Sequence, residues 1–162
     1  MAVDMFLKLD GIEGESKDKG GHKNEIHIES FSWGVAQTGT FGAGGGGGAG
    51  KAQIQDISIS KYTDKASPTL MLYCANGKHV PNGMITVRKA GEKPLDYLKI
   101  KLTDILISSV QSAGNNGSDI LSENLTLNMG KIEVQYQEQS ATGGPEGGPK
   151  IFGWDVKGNA KL

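Results

Sequence analysis

Residues 125–136 read LTLNMGKIEVQY, and their hydrophobic parity changes halfway. Leu125, Leu127 and Met129 fall on odd positions; Ile132, Val134 and Tyr136 fall on even ones. A strand places alternate side chains on opposite faces, so one buried face requires one parity. A shift by one residue marks a bulge or corner, and Gly130 is the residue suited to it. The same signature recurs twice. In EIHIESFSWGV (residues 25–35), Ile26 and Ile28 are even while Phe31, Trp33 and Val35 are odd, so the break falls near Glu29-Ser30. In residues 52–62, Ile54 is even and Ile57 and Ile59 are odd. Three strands that change face midway predict a strongly curved sheet of the kind that builds barrels and orthogonal sandwiches.

Working outward, further strands are predicted over 2–9, 83–90, 97–110 (bent near Asp104) and 151–157. Turn residues separate them, at Pro81-Asn82-Gly83 and Gly114-Asn115-Asn116-Gly117. One short helix is signalled. Ser67 reads as its N-cap, Pro68 as N1 and Gly77 as the residue past its end. Leu70, Tyr73 and Cys74 line one side of it. The expected architecture is mainly β: two packed antiparallel sheets forming a small barrel, a short helix at the side, and an extended Gly-rich loop. One domain over 1–162 accommodates all of it.

Lys+Arg number 17 and Asp+Glu 18, a formal charge of −1. A near-neutral chain of mixed signs carries no footprint for nucleic acid or an anionic membrane. No window reaches the length of a membrane-spanning helix, and the N-terminal stretch lacks the basic and apolar regions of a signal peptide. One cysteine, Cys74, excludes an intramolecular disulfide and reads as a buried structural thiol. A cytoplasmic protein is expected, and any export must follow a route that ignores signal peptides.

Gly45 to Lys51 satisfies the G-x-x-x-x-G-K spacing of a phosphate-binding loop. The spacing alone does not make the site. Ala52 stands where the magnesium-binding hydroxyl belongs, and the next residues alternate like a strand instead of opening a helix. The better reading is an excursion between two strands over 36–51. His22, His27 and His79 lie far apart with no ligand partner nearby, and read as solvated. The acidic N-terminal stretch lacks the order of a calcium loop, and two glycosylation sequons read as chance matches. No catalytic residue, cofactor site or metal site is expected. Trp33 and Trp154 offer a platform for a carbohydrate or similar ligand, and equally read as core or interface aromatics. Ser30, Ser32, Gly34, Ala36 and Thr38, opposite Phe31, Trp33 and Val35, form a small uncharged side that Gln53, Gln55, Ser58 and Ser60 continue in the following strand. Composition fits plain solvent exposure; it also fits the wall of a water-filled channel.

Five segments, MAVDMFLKLDGIEGESKD, FSWGVAQTG, GGGGGAGKAQIQDISISKYTDKASP, ITVRKAG and FGWDVKGN, occur in this order and span Met1 to Asn159. Together they resemble the haemolysin-coregulated protein (Hcp) family, the tube subunit of bacterial type VI secretion systems. The likeness is to single-domain members with no toxin domain after Leu162. The resemblance implies a homohexameric ring with a wide opening, stacked into a tube inside a contractile sheath and tipped by a spike protein. It implies export from the cytoplasm when the sheath contracts, and small effector proteins held in the lumen. On this view Ser30, Ser32 and Thr38 are candidate lumen contacts. Gly42, Gly45, Gly48, Lys51, Phe152 and Trp154 are candidate contacts between subunits or rings, as is the early strand 2–9.

Overall fold

The computed structural model describes residues 3–39 and 50–162. In chain order the elements are β1 (Val3–Leu9), β2 (Ile26–His27), β3 (Ser30–Ser32), β4 (Val35–Ala36), β5 (Gln53–Ile54), β6 (Ile57–Tyr62), α1 (Ser67–Asn76), β7 (Val80–Lys89), β8 (Leu95–Ala113), β9 (Ser122–Tyr136), β10 (Lys150–Asp155) and β11 (Ala160–Lys161). All strand pairings are antiparallel.

β8 and β9 form the spine, and both switch faces at one rung. Thr103 pairs with Lys131 and Ile105 with Met129; the rung between holds Asp104 and Gly130. Before it Ile100 and Leu102 point inward on β8, after it Ile105 and Ile107. On β9 the inward set changes from Leu125, Leu127 and Met129 to Ile132. Asp104 adopts a left-handed φ of 56°, which few residues other than glycine accept, Asp and Asn among them. A Cβ on Gly130 would lie 3.3 Å from the Cβ of Asp104 and 3.3 Å from Cε of Lys157. The corner therefore needs both residues.

The spine folds one sheet into two layers. In the first, β8 before the corner pairs with β7, then β1, then β2, while β9 after the corner pairs with β10 and β11. In the second, the other halves of β8 and β9 continue to β6 and β3. Leu7, Ile85, Ile100, Leu102 and Ile132 from the first layer meet Ile57, Ile59, Ile107, Leu125 and Leu127 from the second in one buried core. Each such side chain contributes roughly 1.5–3 kcal/mol on burial.

The expected barrel does not close. Residues 26–32 cross from β1 to β6 as two separate strands, β2 and β3. Only the Ile28 N–H to Met5 carbonyl (3.1 Å) and Glu29 N–H to Ser60 carbonyl (2.7 Å) bonds join the layers there. The parity change read near Glu29-Ser30 is this crossing.

The helix departs from expectation at its start. Ala66, not Ser67, is the N-cap, and no side chain caps the helix. The Ser67 hydroxyl is buried instead, accepting the Asp64 N–H (3.0 Å) and donating to Glu123 (2.7 Å). Gly77 ends the helix at φ 70°, as its sequence position predicted. Leu70 is buried, and Tyr73 and Cys74 pack against the core.

Candidate functional site

The outward side of the second layer is a continuous polar face across four strands. One row runs Ser30, Ser60, Asn124, Gln111; the next runs Ser32, Ser58, Thr126, Ser109. Alternation explains it: Ile57, Ile59, Leu125 and Leu127 take the inward positions of the same strands. A register shift between Ile107 and Ser109 adds Ser108 to the face. The hydroxyls of Ser108 and Ser109 each lie 2.6 Å from the Thr126 hydroxyl. At one end of the face the Asp56 carboxylate accepts from Asn128 Nδ2 (2.7 Å) and Ser108 Oγ (2.8 Å).

Ser30 and Ser32 thus stand together on this face, both exposed. Thr38 does not join them. It follows β4 on a separate two-stranded ribbon, β4 with β5, and lies beside Gly50. Asn124, Thr126, Asn128, Ser109 and Gln111 were not singled out in the sequence. Their signal was present in β9, where small uncharged polar residues alternate with Leu125, Leu127 and Met129.

Within this layer, β6 and β9 turn a lysine and a glutamate inward. Lys61 and Glu123 are fully buried and bonded to each other; Lys61 Nζ also reaches Asp64 (3.0 Å) and Ser67 (3.3 Å). Glu123 Oε2 is buried without a hydrogen-bond partner.

Gly42, Gly45 and Gly48 lie outside the described residues. Lys51 is exposed, and the chain after it forms β5, a strand where a phosphate loop needs a helix. Phe152 is partly exposed and its ring lies 6.5 Å from that of Trp33, linking β10 to the end of β3. Trp33 and Trp154 are both partly buried and pack against the core. The solvated reading fails for His22. It is buried, stacked on Phe6 at 4.4 Å, with Nδ1 3.0 Å from Glu25 and Nε2 3.2 Å from Asp96. His79 Nδ1 lies 2.7 Å from Asp104, which also meets Lys157 at the corner. The hydrogen bonds from Lys157 first, and then from His79, hold the Asp104 carboxyl below the usual carboxylate range. Among the described residues no group of three or more His, Cys, Asp or Glu is placed to hold a metal ion. Nor is any helix there long and apolar enough to cross a membrane.

The fold and its surfaces define a class: a folded antiparallel sheet domain with one flanking helix and an uncharged polar face on one layer. Within that class the chain belongs to the Hcp family, whose model, described as type VI secretion system effector, Hcp, matches residues 6–136. It is 49% identical to Protein hcp1 of Pseudomonas aeruginosa strain PAO1 over 162 residues, covering 99% of each chain. Among solved structures it is similar to a type six secretion system protein, with TM-score 0.92 at 29% identity, over 99% of this chain and 100% of that one. It is also similar to a type VI secretion system effector from Yersinia pestis, with TM-score 0.77 at 38% identity, over 94% of this chain and 100% of that one. The family resemblance read from the sequence is borne out.

Proposed function

We propose that this chain is the tube subunit of a type VI secretion system and performs no bond-making of its own. Copies join in a hexameric ring, rings stack inside a contractile sheath behind a spike protein, and contraction exports the tube with small effector proteins in its lumen. The polar face carries this reading. It is broad and carries small uncharged polar residues over its centre, with Tyr62 and Leu106 only toward its two ends, so water and cargo pass the centre without adhering.

The edges of the second layer support the ring. Among the described residues, β3 pairs only with β6, and β8 beyond Ile105 pairs only with β9. The layer therefore ends in two unlike strand edges, the requirement for a heterologous contact that closes into a ring. Joining edge to edge extends the rows through Ser30 and Ser32 from copy to copy. Phe152 and the partly buried Trp33 lie beside the β3 edge and serve as subunit contacts on this reading, with Trp154 behind them. Gly42, Gly45, Gly48 and Lys51 belong to the contact between rings.

Solution mass and negative-stain images test the assembly. Rings with open centres, at a multiple of the 17.1 kDa chain mass, are expected; a lone particle at high concentration overturns the reading. Ser32→Gln then tests the lumen assignment. It should weaken retention of co-purifying effector proteins while rings stay intact, and equal retention removes Ser32 from the lumen wall.

A further inference from the structure

The polar face is not uniform, and its one exception is Asp56. At the outward positions of the four strands stand Ser30, Ser32, Ser58, Ser60, Asn124 and Thr126, with neutral residues also at 108, 109, 111 and 128. None carries a charge. Asp56 lies in the plane of this face, because both of its bonded donors, Asn128 and Ser108, are outward residues.

Those donors are neutral. They fix the carboxylate without cancelling its formal charge, and none of the ion pairs among the described residues includes it. Lys61, on the neighbouring strand, is turned inward and held by Glu123. Among the described outward residues of β3, β6, β8 and β9, the face thus presents Asp56 as an anion fixed by two hydrogen bonds at one end of an uncharged surface.

We propose that Asp56 is the specificity-determining residue of the polar face, selecting protein cargo that presents a basic patch. The proposal rests on the ring reading above. In a ring each subunit contributes one such carboxylate at the same height around the opening. Like charges around a walled opening focus the field and raise the local concentration of the opposite sign. Serine and threonine hydroxyls then hydrogen-bond whatever lies against them, without a preference of charge. Cargo with exposed lysine or arginine is held at that end and acidic cargo is turned away. Because the attraction crosses water, salt screens it and the cargo stays releasable.

The test uses cytochrome c, a small cationic protein, and its succinylated form, which has the same fold with reversed charge. Either is mixed with purified rings and the fraction co-eluting with them is measured. Retention of cytochrome c should exceed that of the succinylated form by about fivefold at low salt and vanish near about 0.5 M salt. Asp56→Asn, which keeps an acceptor for Asn128, should abolish the preference, and Asp56→Lys should reverse it. Glu133→Gln, at an outward position of the first layer, should leave it unchanged. Equal retention of both forms by wild-type rings overturns the proposal, as does a preference that survives in Asp56→Asn rings. Absence of rings in the wild-type protein shows in the mass before any cargo is added, and sinks the ring reading itself.

Discussion

On the second layer the outward positions of β6 and β9 carry Ser58, Ser60, Asn124 and Thr126, and the charged residues those strands place within this layer, Lys61 and Glu123, point into the core. On the first layer the outward positions of β8 and β9 carry Lys99, Lys101, Lys131 and Glu133. Lys8 joins them from β1 through the Met84 row of β7. Both layers line one apolar core, so hydrophobicity does not distinguish them. The direction of charge does. A sheet face meant only to meet water has no reason to bury a lysine and a glutamate, since desolvating such a pair rarely adds net stability. Turning them inward keeps the outer face neutral and places that face, not the core, under constraint.

The buried pair is where this contrast breaks most easily. Lys61→Met leaves Glu123 charged and buried, with Oε1 held by the Ser67 hydroxyl alone and Oε2 without a donor. The expected loss is about 3–5 kcal/mol of unfolding free energy. The double variant Lys61→Met/Glu123→Leu should recover most of that loss, since an apolar pair of similar volume removes the unpaired charge. Urea midpoints at constant slope measure both. If the single variant loses less than about 1 kcal/mol, the pair is not held as described and the contrast between the layers loses its energetic basis.

The corner between the layers gives a smaller effect. Asp104 holds a left-handed conformation in which a β-branched side chain is strained, roughly 1–2 kcal/mol. Asp104→Val should lower Tm by about 3–6 °C. Asp104→Asn, which tolerates the same conformation, should lower it less, although it also discharges the contacts to His79 and Lys157. Equal shifts for the two would place the role of Asp104 in its charge and not in its backbone.

What the sequence discloses is what depends on neighbours along the chain. Parity located the corner at Asp104 and Gly130 and the crossing at Glu29-Ser30, because alternation is a local property of strands. It also placed Ser30 and Ser32 on a polar side and read AQIQDISIS as extended chain, which forms β5 and β6. Partners remote in sequence were not legible. Ser67-Pro68 looks like a cap until Glu123, distant along the chain, takes the hydroxyl. His22 looks solvated until Phe6 and Asp96 close on it. Barrel closure failed for the same reason, since it depends on how 26–32 divides its hydrogen bonds between β1 and β6. Asp56 was unremarked because its setting comes from Asn128 and Ser108 on two other strands.

The smallest effect lies on the charged layer, where residues 13–25 strap over β1 and β7. Arg88 donates two bonds of 2.8 Å to Asp18 and one of 3.1 Å to Asp4, and its guanidinium lies 5.1 Å from the Phe6 ring that His22 covers. The Arg88 hydrogen bonds draw the Asp18 carboxyl from 3.8 down to about 2, against the opposing effect of burial. A carboxyl depressed in the folded state adds stability above its unfolded pKa and loses it as pH falls through the folded value. That contribution is therefore full at pH 5 and fades between about pH 4 and pH 2. Asp18→Asn should be less stable than wild type at pH 5, and the gap between the two urea midpoints should shrink steadily as pH falls from about 4 through about 2. Solvent still reaches the pair, which keeps the difference below that of the buried lysine and glutamate. A gap between the two proteins that stays constant down to about pH 2 would mean that the strap is held by Phe6 and His22 packing, with the ion pair a bystander.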